Sequence, residues 1–314
     1  MAPDAFHSPV LCREAVDALV TDAEGCYVDG TVGGGGHTEA VCMRLRGTGR
    51  VICLDADEDA LTAARDRLQP FAGRTLFLHT NFGELGVALR TAGVTRVHGI
   101  LLDLGVSSHQ LDVPERGFSF RGDERLDMRL DRRQMTTAWD LVNTAEVDVL
   151  SGVLQEFGEE RHARRIARRI AGARPVNTTG ELRAIVERTV GGQHLTKTLA
   201  RIFQALRIAV NRELETLSGA LAQAVPLLLP GGRLVVIAYH SLEDRIVKNV
   251  FRAETTAGTE RQNPFARDSE AEGRLRLVTR KPVTPADEEL ARNPRARSAK
   301  MRVAERTDVG TEHT

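Results

Sequence analysis

Three apolar runs that each end on an aspartate constrain this chain more than any other feature. Residues 25–29, 49–55 and 97–103 are strand-length, they finish at Asp29, Asp55 and Asp103, and a further strand-like run occupies 75–79. Helical patterns lie between them: Leu61, Ala64 and Leu68 recur at helix spacing, and 82–89 reads as another helix. Strands alternating with helices imply a doubly wound parallel α/β sheet, a Rossmann-like architecture that delivers the three carboxylates to one edge, where such sheets bind ligands.

The next strand, 232–238, opens after the turn Pro230-Gly231-Gly232 and lies about 130 residues beyond Asp103, whereas a βαβ crossover needs ~30. The surplus is domain-sized and helical in pattern. Residues 146–157 and 160–171 read as helices, and Thr178-Thr-Gly-Glu181 matches a capping box. Leu199, Ile202, Phe203, Leu206, Val210, Leu214 and Leu217 make one long amphipathic stripe. An all-α domain at 109–212 is therefore expected inside a sheet domain made of 1–108 and 213–314.

Composition removes several classes. An apolar content of 41% supports a sizeable core, and Lys+Arg 43 against Asp+Glu 43 leaves no whole-molecule basic field. No apolar run approaches the ~18 residues that span a bilayer, and the start MAPDAFHSPV lacks a signal-peptide pattern, so a cytoplasmic location is expected. The four cysteines form no C-x-x-C pair and read as reduced thiols. Without H-E-x-x-H or clustered ligand spacing, no metal is expected.

After the first strand comes Gly33-Gly-Gly-Gly36, a loop that lets backbone N–H groups approach a ligand at the start of a helix near His37. The dinucleotide fingerprint G-x-G-x-x-G fails here, and no Lys follows as in a phosphate-binding P-loop. Asp55, about 20 residues on, stands where a carboxylate accepts both hydroxyls of a ribose. An adenosine without a pyrophosphate fits, and S-adenosylmethionine, whose cationic groups favour nearby carboxylates, suits the loop. Phe82 after the third strand offers an apolar wall for adenine.

Basic and aromatic residues point to a second ligand. The aperiodic segment 111–129 interleaves Arg116, Arg121 and Arg129 with Phe118 and Phe120. It reads either as an RNA grip, with Phe stacking a base and Arg holding phosphate, or as a surface loop pinned by buried Phe. Residues 161–169 hold five arginines and no acid, among them Arg164 and Arg168. The tail 274–306 has ten Lys+Arg against four Asp+Glu, net +6. Both segments favour a nucleic-acid substrate. At the fifth strand end stands Tyr239-His240-Ser-Leu-Glu243-Asp-Arg245. Because no G-x-S-x-G elbow accompanies it, His240 reads as a polar wall of the substrate site and not as a hydrolase base.

Several ordered motifs resemble one family, the bacterial small-subunit 16S rRNA cytosine-N4 methyltransferases (RsmH/MraW). They are His7-Ser-Pro-Val-Leu11, Asp29-Gly-Thr-Val-Gly-Gly-Gly-Gly-His37, Gly99-Ile-Leu-Leu-Asp-Leu-Gly-Val-Ser-Ser108, Arg116-Gly-Phe-Ser-Phe120, Leu126-Asp-Met-Arg129, Phe203-Gln-Ala-Leu-Arg-Ile208, His240-Ser-Leu-Glu-Asp-Arg245 and Asn293-Pro-Arg-Ala-Arg297. The resemblance runs nearly end to end. It implies a methyltransferase sheet domain interrupted by a helical substrate domain, S-adenosylmethionine as cofactor, and 16S rRNA in the small ribosomal subunit as partner, with methylation of one cytidine in the decoding region. Carried over by motif, the cofactor contacts are Gly35, Gly36, His37, Asp55, Phe82, Asp103 and Gln110.

The expected acceptor for the cytosine N4 hydrogen is Asp103, a neighbouring carbonyl, or the Ser107 or Ser108 hydroxyl, with Phe118 or Tyr239 stacking the extruded base. His109 replaces a common Pro, Ala238-Tyr239 replaces a Ser-Phe pair, and 195–202 departs from a threonine-rich version. These departures touch substrate-loop detail. The residues fix no oligomeric state and are compatible with a homodimer.

Overall fold

A computed structural model describes residues 9–106, 110, 113–192, 194–256 and 273–308. Its chain divides into two compact units, Met1–Gly105 with Leu214–Thr314, and Val106–Glu213.

In the first unit, β1 (Cys26–Asp29), β2 (Arg50–Asp55), β3 (Thr75–His79), β4 (Val97–Asp103), β5 (Leu228–Ala238), β6 (Leu275–Leu277) and β7 (Lys300–Arg306) form one sheet in the order β3-β2-β1-β4-β5-β7-β6. The first five strands are parallel, and β7 runs antiparallel to both β5 and β6. Alternate residues of the central strands enter different cores. Ile52, Leu54, Ile100, Leu102, Leu234 and Val236 lie in one cluster with Leu85, Leu221 and Phe251. Val51, Cys53, Leu101, Val235 and Ile237 lie in the other with Val16, Val41 and Leu61. Strands apolar on both faces must be covered on both, which the helices accomplish.

Helices α1 (Cys12–Leu19), α2 (Gly36–Arg44) and α3 (Glu58–Arg67) pack into the second cluster, and α4 (Leu85–Thr91) into the first. The strand order reverses between β1 and β4, so the topological switch point lies where Asp29 and Asp103 end their strands.

The second unit contains α5 (Ala138–Thr144), α6 (Val147–Glu156), α7 (Ala163–Ala171), α8 (Thr179–Val190) and α9 (Leu195–Asn211). Its core joins Leu150, Leu154, Ile166, Ile170, Leu182, Val186, Ile202 and Leu206. The Thr178–Glu181 capping box forms as its spacing predicts, and Thr137 with Asp140 forms another that the pattern did not reveal. The long amphipathic stripe is two helices, not one. Arg212 takes left-handed backbone at φ 50° and closes α9, after which α10 (Glu213–Leu227) begins.

The tail, 274–306, has a structure that its charge does not announce. Following α11 (Ser241–Thr256), this net-positive segment builds the antiparallel edge of the sheet, and several of its cations pair with acids of the fold. Arg302 and Lys300 meet Asp244, Arg274 meets Glu254, and Arg276 meets Glu305. The periodicity missed these strands because β6 is three residues long and β7 alternates charged with apolar residues. All four cysteines are free thiols, and burial pushes Cys12 and Cys42 up to about 11. Among the described residues, no helix is long and apolar enough to cross a membrane.

Candidate active site

The site is built at the carboxyl ends of β1, β2, β4 and β5. Gly33 and Gly35 have φ of +50° and +81°, conformations that a side chain resists. Gly36 has a different reason to be glycine: a Cβ there would sit 3.0 Å from the Pro9 ring. The turn they make leads into α2, with the Gly33 N–H donating to Asp55 and the Gly35 N–H to the Val32 carbonyl.

Each strand-end carboxylate has its own environment. Asp29 is 3% exposed and satisfied within the fold, accepting from the Thr31 N–H at 3.1 Å and the Thr38 hydroxyl at 2.6 Å. It anchors the loop and has no face left for a ligand. Asp55 takes one backbone N–H on each oxygen, from Gly33 and from Asp57, both at 2.9 Å. Each oxygen keeps a lone pair, the capacity a ribose diol requires. Burial pushes Asp55 up to about 6 against the pull of those two N–H groups.

Asp103 carries the most information. Its Oδ1 accepts the Tyr239 hydroxyl at 2.8 Å, and its Oδ2 lies 3.5 Å from His37 Nδ1. On the other side of that imidazole, Nε2 is 3.0 Å from the Val10 carbonyl, which can only accept, so Nε2 carries the hydrogen. Burial pushes His37 down, keeping it neutral, and Nδ1 then presents a lone pair to the carboxylate. A proton between them relieves that opposition. Accordingly Asp103 is pushed up to about 7, chiefly by burial, with the Tyr239 hydrogen bond pulling the other way. Burial and the Asp103 charge push Tyr239 far up, so it remains a donor.

Phe82 opens a short 3-10 turn capped by Asn81, half-buried, with its Cβ 3.2 Å from where a Cβ on Gly30 would stand. This puts it beside the end of β1. His240 precedes α11, and its Nε2 lies 3.1 Å from Glu243 Oε1, at an angle that falls short of a hydrogen bond. Glu243 Oε2 accepts from the backbone N–H of Tyr239 at 2.8 Å and so fixes the turn that aims Tyr239 at Asp103. Glu243 thus pairs with His240 at the start of the helix.

Gly35, Gly36, His37, Asp55, Phe82, Asp103, Tyr239 and His240 all belong to the sheet unit. Gln110 is buried in the helical unit, and Ser107 and Ser108 lie outside the described residues. The segment after them corrects the RNA-grip reading. Arg116 is 3% exposed and donates to the carbonyls of Arg129 and Leu130, with its guanidinium over Phe118, itself buried. Phe120 packs edge-on against Phe203 at 5.4 Å. A guanidinium spent on two carbonyls and rings spent on a core cannot also hold phosphate and base, so these residues pin the loop. Arg164 and Arg168 do face solvent, from α7. Thr31 and Thr38, which tie Asp103 and Asp29 to the loop, carried no sequence signal beyond their place in the glycine motif.

A doubly wound sheet closed by an antiparallel β7, with a glycine turn after β1 and open carboxylates after β2 and β4, defines an S-adenosylmethionine-dependent methyltransferase. Residues 4–307 match the model of the MraW methylase family. Three curated relatives are called ribosomal RNA small subunit methyltransferase H. That of Dehalococcoides mccartyi is 48% identical over 96% of this chain and 86% of its own. That of Cyanothece sp. is 45% identical over 98% and 97%, and that of Fusobacterium nucleatum 43% over 96% and 97%. Among solved structures, an rRNA-methylase from Clostridium thermocellum aligns over 94% of both chains at 11% identity and a TM-score of 0.44. The chain belongs to the MraW methylase family.

Proposed function

We propose that this enzyme methylates the exocyclic N4 amino group of a cytidine in the decoding region of 16S rRNA, in the cytoplasm and on the small ribosomal subunit. Support comes from the relatives' shared name, and the observation that carries the chemistry is Asp103, a carboxylate held between a hydroxyl donor and a neutral imidazole with its proton affinity near neutrality.

S-adenosylmethionine supplies the electrophilic methyl group. The residues of the sheet unit fit it: Asp55 retains acceptor capacity for a ribose, the left-handed Gly35 and the bare Cα of Gly36 shape the loop, His37 and Asp103 would line the cationic end, and Phe82 would wall the base, while Gln110 is a contact carried over by motif alone. The amino lone pair of cytosine is delocalised into its ring, so alignment with the methyl group dominates, and orientation of this kind is worth ~7–11 kcal/mol. Methylation would leave N4 cationic until it gives up a hydrogen. Asp103 accepts an N4 hydrogen, stabilises that charge and takes the proton as the amine returns to neutrality. Tyr239 keeps Asp103 oriented and offers its ring to the extruded base, and His240 walls the site.

RNA phosphates are held by α7. At 100° per residue, the four arginines of α7, Arg164, Arg165, Arg168 and Arg169, fall within an arc of about 140°, opposite buried Ala163, Ile166, Ala167 and Ile170. Ser107 and Ser108 remain candidate N4 acceptors. The test is transfer of labelled methyl to intact small subunits and to naked rRNA, with the modified nucleoside identified by mass. N4-methylcytidine is expected. Methyl on another atom, or none on either RNA, would sink the reading.

A further inference from the structure

Residues 9–11 lie against the glycine loop and make three contacts with different partners. The Pro9 ring fills the space beside Gly36, where a Cβ would come within 3.0 Å of it. The Val10 carbonyl accepts from His37 Nε2 at 3.0 Å. The Leu11 N–H donates to Glu289 Oε1 at 2.8 Å, a bond between residues 278 apart in sequence. Leu11 is also one of the few non-glycine residues with a positive φ, 52°, and it caps α1 without a side-chain acceptor of its own.

Glu289 comes from α12 (Asp287–Arg292), held by the Val283–Met301 bridge and by Leu290 against the cluster that contains Val10 and Leu11. Its negative charge is felt at His37 and at Tyr239. None of the chemistry described above uses it.

We propose that Glu289 is a positioning residue for the methyl-donor site: by accepting the Leu11 N–H it holds residues 9–11 as a strap whose Val10 carbonyl fixes the His37 imidazole against Asp103. The proposal rests on the reading of Gly35, Gly36 and His37 as that site. Leu11 stays in left-handed backbone because an acceptor waits for its N–H there. Without the acceptor, Leu11 relaxes toward ordinary backbone angles, Val10 leaves His37, and the Nε2–H is buried unpaired, so the imidazole turns.

The test uses the full chain and S-adenosylhomocysteine as the binding probe. Glu289→Ala is expected to weaken that binding and to raise KM for S-adenosylmethionine about tenfold, the loss of one charge-assisted hydrogen bond, with kcat at saturation within about twofold of wild type. Glu289→Gln retains an acceptor oxygen and restores both to within about twofold. Hydrogen exchange of the Leu11 amide speeds up in the alanine variant and stays slow in the glutamine variant. Pro9→Gly, which loosens the strap and spares Glu289, is expected to raise KM in the same direction and guards against an alanine variant that fails to fold. Wild-type affinity in Glu289→Ala, or equal impairment of the alanine and glutamine variants, would overturn the proposal. Wild-type protein that binds no S-adenosylhomocysteine would instead overturn the donor-site reading, a distinguishable result because Leu11 exchange still reports the latch.

Discussion

Replacing Tyr239 with Phe removes one oxygen and leaves the ring that packs beside Gly105. In the wild type that oxygen donates to Asp103 at 2.8 Å and holds down a carboxyl that burial has raised to about 7. A hydrogen bond to a charged group is worth about 1.5–3 kcal/mol, and each pKa unit corresponds to about 1.4 kcal/mol, so Asp103 should rise by about one to two units. If the ionised carboxylate accepts the N4 proton, kcat/KM climbs with pH through this value. At pH 7 the ionised fraction drops from about one half to about one tenth or less, a loss of about fivefold or more that is recovered near pH 9. The assay is the pH profile of kcat/KM for labelled methyl transfer to small subunits, with thermal unfolding as the control on the fold. A variant slowed equally at every pH, its rising limb unmoved, would refute Asp103 as the titrating acceptor and leave Tyr239 a purely steric role.

The same carboxylates link stability to pH. A carboxyl whose folded pKa is raised gives stability that is complete below its unfolded value of about 4 and is lost as pH rises through the folded one, about 6 for Asp55 and about 7 for Asp103. Asp103→Asn should therefore raise the melting temperature at pH 8 while abolishing turnover, because the amide can donate to His37 Nδ1 where the ionised carboxylate cannot; a lower melting temperature at pH 8 would contradict the assigned tautomer. Asp55→Asn should weaken S-adenosylhomocysteine binding by about tenfold or more at pH 8, measured by calorimetry, on the scale of one charged hydrogen bond. Unchanged affinity would remove Asp55 from the ribose. Arg164→Glu with Arg168→Glu should weaken rRNA binding and reduce the slope of log affinity against log salt by about two, whereas an unchanged slope would return the α7 face to plain solvation.

The elements that position the site were legible because they are periodic. Apolar runs ending on Asp29, Asp55 and Asp103 could be nothing but inner strands, and each became one. The sheet's antiparallel edge was hidden because β7 pairs through backbone groups that any sequence possesses, and its alternating Arg and apolar residues read first as charge. The segment around Arg116 stays open between an RNA grip and a loop pinned by buried Phe for a related reason. Composition reports that a guanidinium and two phenyl rings are near each other in sequence, but not that two carbonyls 13 and 14 residues away consume the guanidinium.

The difference between carboxylates follows the same logic. In sequence Asp29, Asp55 and Asp103 are equivalent strand-end acids, and only their partners separate them. Thr31 and Thr38 occupy one lone pair on each oxygen of a buried Asp29, two backbone amides do the same on a partly exposed Asp55, and Asp103 stands between a tyrosine hydroxyl and a neutral histidine. Burial keeps His37 neutral, Val10 sets its tautomer by accepting from Nε2, and Val10 is part of the segment that Glu289 holds. The orientation of the imidazole beside the reacting carboxylate is thus set partly by residues 9–11 and 289, which no local pattern joins to residue 103. A chain of single hydrogen bonds carries that influence, so losing any one link should weaken S-adenosylhomocysteine binding without touching His37 or Asp103 itself.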